Sequence, residues 1–346
     1  MRHTSGLPHA LACPCLVVLL LIVAGVSAAA ADGPHFYIFF NRDRERIAER
    51  TFLDTPAIEG AQLKYTWPQL EHAKDEYDFA DIRHDLAFLK AHGKRLFIQV
   101  QDASFDPSIV PIPRYLQNDP AYHGGADPQY DIPHDDETRA TPAGWVARRW
   151  DPTVRERFGR LLRALGKEFD GQIEGINLPE TAVDFGERGR LYPRGFTPEV
   201  YRDAVVGNMA TLKRAFPRSV AIQYANFMPE ANGDAQHTFL KSVYQKASEL
   251  KVGVGGPDLL PYKPGQMANS YPLLREYAGR VPTGIAVQDG NYAHRDPKTG
   301  KQVTIADLVG FATDYLRVNY IFCCTEEPFY SRDLIPLLQA QRARGK

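Results

Sequence analysis

Three carboxylates stand where short apolar runs give way to polar residues: Glu180 after the run 173–177, Asp289 after 284–287 and Glu327 after 320–323. Two such groups facing one another do a definite kind of work. One, protonated, donates to a leaving oxygen, while the other, ionised, attacks as nucleophile or activates water. Separations of about 5–5.5 Å suit a retaining course and larger ones an inverting course. Glu180 lies on a straight path out of a buried run and is the expected member of such a pair. Asp289 is favoured over Glu327 as its partner, since the fourth and seventh runs of a closed barrel face each other across its mouth. The same run ends supply Tyr65, Trp67, Gln101, Asn177, Tyr224, Asn226, Asp258, Tyr262, Gln288, Tyr292, Glu326 and Tyr330. Amides and carboxylates bond neighbouring hydroxyls, and aromatic faces stack on the C–H side of a pyranose, so the expected partner is a carbohydrate. Two other readings stay open. One is a barrel that binds polysaccharide without cleaving it. The other is a lyase in which Tyr224, Tyr262 or Tyr292 acts as base.

The elements that must position these residues follow from punctuation. Eight short β-rich runs, 36–40, 61–65, 96–100, 173–177, 220–224, 252–254, 284–287 and 320–323, alternate with helical patterns. Asp151-Pro152 and Thr197-Pro198 are helix-start signals, and Val154, Phe158, Leu161, Leu162 and Leu165 share one helical face. Thr304 opens a helix expected to run to Leu316, Ser331 opens the last one, and Gly93 ends the helix that begins near Asp81. Alternating strands and helices imply parallel βαβ units, and eight of them imply a (β/α)₈ barrel, whose chemistry sits on the loops after the strands. Residues 102–144, rich in Pro, Asp, His and Gly, are expected to form a long loop walling the barrel mouth. Residues 226–237 are expected to help set its depth.

Bulk properties narrow the function classes. A formal charge of −1 with no long basic run argues against a nucleic-acid footprint. Residues 1–31 read as a secretory signal peptide: Arg2 and His3, an apolar core, then Ser27 and alanines. Cleavage would leave a single barrel domain, 32–346, secreted or periplasmic and without stable membrane insertion. Only Cys323 and Cys324 would remain, so no disulfide framework is expected, and their adjacency in a strand suggests two small buried side chains. His134, Asp135 and Asp136 lack metal-ligand spacing, and no glycine-rich nucleotide turn follows the first strand, so neither metal nor cofactor is called for.

A family resemblance rests on two stretches. Residues 60–67 ending in Trp67, then Leu70-Glu71, Tyr77-Asp78-Phe79 and Asp81-Ile82, resemble the second strand and following helix of clan A glycoside hydrolases, the β-galactosidase-like and endoglycanase-like barrels. Trp150-Asp151-Pro152 leading to residues 173–180 resembles the approach to their fourth strand. The resemblance implies a divergent (β/α)₈ glycosidase with Glu180 as acid/base. It also shows three departures. The clan's asparagine directly before the acid/base glutamate is replaced here by Asn177-Leu178-Pro179, and its seventh-strand glutamate by Asp289. A Trp platform common after the eighth strand is absent, leaving Phe322, Phe329 or Tyr330 to substitute.

Overall fold

The computed structural model describes Met1 and residues 33–230 and 236–344; the expected signal segment beyond Met1, residues 2–31, lies outside the described residues. Eight parallel strands close into a barrel in sequence order. They are β1 (His35–Asn41), β2 (Ile58–Thr66), β3 (Arg95–Gln101), β4 (Gly175–Leu178), β5 (Val220–Tyr224), β6 (Gly253–Gly256), β7 (Thr283–Val287) and β8 (Tyr320–Cys324). β8 returns to pair with β1, His35 opposite Tyr320. The fold is a (β/α)₈ barrel, and each expected run falls on a strand with its ends moved by a few residues.

Helices pack outside the sheet: α1 (Ala80–Ala91), α2 (Pro152–Phe169), α3 (Pro198–Ala215), α4 (Thr238–Leu250), α5 (Ser270–Tyr277), α6 (Ile305–Gly310) and α7 (Ile335–Arg344). Their starts have a chemical cause. The Asp151 carboxylate accepts the N–H groups of Thr153 and Val154, Thr197 accepts that of Val200, and Thr304 and Asp307 cap each other reciprocally. The five apolar residues predicted for one face of α2 are all buried. None of the described helices is long and apolar enough to cross a membrane.

Three expectations need correction. The helix from Thr304 stops as an α-helix at Gly310 and continues as a π-helical segment, Phe311–Leu316. The last helix begins at Ile335, after a π-helical segment Tyr330–Leu334. Residues 102–144 are not an irregular loop: Ala103–Ser104, Ala126–Asp131 and Thr141–Ala147 form a three-stranded antiparallel sheet.

The barrel interior is sorted by height. Tyr37, Phe97, Tyr320 and Phe322 interlock in its lower half, with ring centroids 4.9–6.1 Å apart. Glycines make room for them: a Cβ on Gly60 would lie 2.6 Å from the Tyr37 ring, and one on Gly175 would lie 2.5 Å from Phe97. Above the aromatics the lining turns polar. Gln62 Nε2 donates across the barrel to Asn177 Oδ1 and to the Tyr224 hydroxyl, both at 3.0 Å. The site sits on this polar layer.

Candidate active site

Glu180 follows β4 by two residues, and its backbone is clamped from several sides. Gln223 donates to the Pro179 carbonyl at 2.6 Å, Arg149 to the Glu180 carbonyl at 2.8 Å, and Tyr201 to the Thr181 carbonyl at 3.0 Å. The Thr181 N–H donates to the Tyr224 carbonyl, and its hydroxyl to the Phe227 carbonyl. Arg149 is itself fixed by a buried fork onto Asp102, with bonds of 2.6 and 2.9 Å. Such clamping restricts the glutamate before any ligand arrives.

The carboxyl of Glu180 accepts one hydrogen bond, from Asn226 Nδ2 at 2.6 Å. Burial raises its pKa above the ordinary carboxylate value. The Asn226 bond pulls it back down, the charge of Asp258 pushes it up, and Arg149 and Lys64 pull it down. The net rise favours a group that carries a proton to a leaving oxygen. Asn226, from the exit of β5, therefore serves this glutamate, while Asn177 lies fully buried beneath it in the bond with Gln62.

Lys64 was not singled out from the sequence. It is two residues beyond Gln62 on the same face of β2, one step nearer the mouth. Its ammonium lies 5.3 Å from the Phe39 ring centroid and forms no ion pair or hydrogen bond among the described residues. Burial lowers its pKa to about 8; Arg42 also lowers it and Glu180 raises it. Nearby buried amide oxygens lack partners among the described residues: Gln62 Oε1, Gln99 Oε1, Gln101 Oε1 and Asn226 Oδ1.

The remaining predicted residues divide by strand parity and by prior commitment. Tyr65 and Trp67 are corrections. Tyr65 points out of the barrel, and its hydroxyl donates to Asp85 at 2.7 Å. Trp67 Nε1 donates to Glu71 at 2.8 Å; both side chains are fully buried and present nothing to a sugar. Tyr224, Tyr292 and Tyr330 are also buried, and burial raises each phenol. The Tyr292 hydroxyl donates to the Cys324 carbonyl at 3.1 Å. Tyr262 is exposed and edges onto Phe311, away from Glu180's partners. Gln288 spans to the Pro257 carbonyl, tying the exits of β6 and β7. Asp258 is half-buried and accepts from Asn291 Nδ2 at 3.2 Å.

Of the other carboxylates, Asp289 is exposed, and Glu326 beside it accepts the Gly290 N–H at 2.8 Å. Glu327 is engaged elsewhere, accepting from the Ser331 N–H and hydroxyl at the start of the final helical region. Asp289, Cys324 and Glu326 bring donor atoms within 4.8 Å of one another. Burial raises the Cys324 thiol, so a cation there would first have to displace its proton.

A cleft of about 770 Å³ opens two residues beyond Glu180. Phe105, Gln129 and Glu137 of the three-stranded insert form one wall, Ala182 to Asp184 and Tyr192 a second, and Phe227 to Glu230 a third. Residues 102–144 thus wall this cleft, whose lining includes none of Glu180, Asp258, Asp289 and Glu327, and Phe105 is among the few large apolar side chains left exposed.

No known family's sequence profile matches the chain, and no curated protein matches it. Solved structures do. The catalytic domain of β-amylase from Paenibacillus polymyxa superposes with a TM-score of 0.59 at 10% identity, covering 92% of this chain and 100% of that one. Xylanase 10B from Thermotoga maritima gives 0.52 at 11% identity, covering 91% and 97%. A family 39 glycoside hydrolase from Bacteroides cellulosilyticus WH2 gives 0.50 at 13% identity, covering 84% of this chain and 56% of that one. At these identities the likeness is one of fold alone, the (β/α)₈ barrel that this chain shares with those three enzymes.

Proposed function

We propose that the chain is a glycoside hydrolase that cleaves O-glycosidic bonds of an oligo- or polysaccharide at the barrel mouth, with Glu180 as general acid/base. The observation that carries this reading is the Glu180 carboxyl itself. It is clamped through its backbone, raised above its ordinary pKa by burial, and held by Asn226. The second carboxylate is Asp258 or Asp289. Asp258 is the stronger candidate because its charge acts on Glu180, whereas the charge of Asp289 acts on Cys324. Export to the periplasm or medium, from the character of residues 1–31, belongs to the same proposal.

Release of reducing ends from a panel of polysaccharides and aryl glycosides tests it. Glu180→Gln should lower turnover of unactivated substrates by about 10²-fold or more, the scale of lost general acid catalysis. Asp258→Gly should abolish hydrolysis, and added azide should restore part of the turnover of an activated aryl glycoside if Asp258 is the nucleophile. The same behaviour in Asp289→Gly would move the role there. Full activity in Glu180→Gln would end the assignment.

A binding-only barrel is the second reading, favoured by the lack of a glutamate at the exit of β7. A lyase is less well supported, since Tyr224 and Tyr292 are buried with raised phenol pKa values and Tyr262 stands apart.

A further inference from the structure

The mouth of the barrel holds two cations without an ion pair among the described residues. Lys64, on the inward face of β2, and Arg42, just beyond β1, interact with each other through space. Neither forms an ion pair among the described residues. The charged groups around them are Glu180, whose influence reaches Lys64, and Asp106 of the overhanging insert, which feels Arg42. Asp106 is exposed and committed to Ser108. Glu180 is held towards its neutral form by burial, so it supplies little counter-charge while it carries a proton. Lys64 is half-buried, and an unpaired ammonium partly withdrawn from water carries a desolvation cost that an anionic ligand would offset.

We propose that the mouth selects sugars bearing a carboxylate, uronic acid residues, with Lys64 and Arg42 binding that carboxylate and Gln99, Gln101 and Asn226 taking ring hydroxyls. This rests on the carbohydrate reading of the site. The donors and acceptors divide in the way such a ring requires. A uronate offers one anionic group and several O–H donors. The site offers a free ammonium and guanidinium on one side, and unpartnered amide oxygens around them. Asn226 is almost wholly buried, with its amide nitrogen spent on Glu180 and its oxygen unspent. A neutral hexose satisfies the amide oxygens and leaves Lys64 uncompensated. A uronate satisfies both, because its carboxylate replaces the hydroxymethyl group without enlarging the ring.

The test compares each acidic glycan with its own neutral twin. Oligosaccharides of polygalacturonate, alginate, heparosan and desulfated chondroitin are used as such and after carboxyl reduction, which turns each uronate into the matching hexose. Binding to the protein lacking residues 1–31 is measured by calorimetry. At least one acidic form should bind about tenfold or more tightly than its reduced twin, and Lys64→Met and Arg42→Gln should each shrink that ratio. Arg42 is exposed, so its variant still tests the idea if Lys64→Met does not fold. Equal binding of the twins, binding by no acidic form, or a ratio indifferent to both substitutions overturns the proposal. Glu180-dependent cleavage of neutral glycans without acid preference would remove this inference and leave the hydrolase reading intact. Lys64-dependent binding of acidic forms without cleavage would do the reverse.

Discussion

On the proposed function, the hydrogen bond between Asn226 and Glu180 tunes the pH range in which the enzyme works. The amide bond stabilises the ionised carboxylate and so opposes the rise that burial imposes. A general acid works below its pKa, so kcat/KM should fall as pH climbs through the raised value of Glu180. Replacing Asn226 with leucine removes the group that lowers that pKa, and the alkaline limb of the profile should therefore move to higher pH. A pH–rate profile on an activated aryl glycoside checks this. A loss of rate with no movement of the limb would assign Asn226 to packing alone. The sequence marked both residues, since each ends a buried run, but not Lys64. Its signal was present in the alternation of β2, where Gln62 and Lys64 are the polar residues between Ala61, Leu63 and Tyr65. Polar residues two apart in a strand apolar on its other face mark the barrel interior. By that parity Tyr65 had to point outward.

At the level of elements, strands and helix starts were legible because caps and apolar periods act locally, whereas the motif that carries the family resemblance does work that its spacing does not reveal. Trp67 donates to Glu71, which is fully buried and also accepts from Tyr115 and Arg157. Trp67 also packs edge-on against Phe158 of α2. The signature fastens the exit of β2 to α2 and makes no surface for a sugar. Arg149 carries no such local signal, because its partner Asp102 lies 47 residues away in the chain. Long-range partners of this kind leave no local trace. Arg149 joins the exit of β3 to the Glu180 carbonyl, so Arg149→Met should leave the Asp102 charge buried and uncompensated. The expected cost is about 3–5 kcal/mol of stability, the usual result of breaking a buried pair from one side. Urea denaturation measures it, and a midpoint close to that of the parent protein would show that Asp102 finds another partner.

On the scale of the whole molecule, the barrel is closed by β8 lying between β7 and β1, and the two thiols of the expected mature chain sit in that closing strand. Cys323 stands opposite Ile38 on one side and Val287 on the other, and Cys324 opposite Phe39. Both are free and buried. Burial pushes the Cys323 thiol up to about 12 and that of Cys324 up as well. The thiolate is the reactive form, so at neutral pH each thiol is protected both by access and by protonation. Neither contributes a cross-link, and the core is held by strand pairing and apolar packing around the closed sheet. Protein lacking residues 1–31 should therefore show the same thermal midpoint with and without a reductant. An aromatic disulfide reagent should find almost no thiol in the folded state and two per chain in denaturant. The rate of labelling at intermediate denaturant should follow global unfolding, since exposing β8 breaks the barrel on both sides at once. Rapid labelling of the folded protein would show that the barrel opens locally between β8 and a neighbour, and a fall in the thermal midpoint on reduction would show that the cysteines are joined in solution.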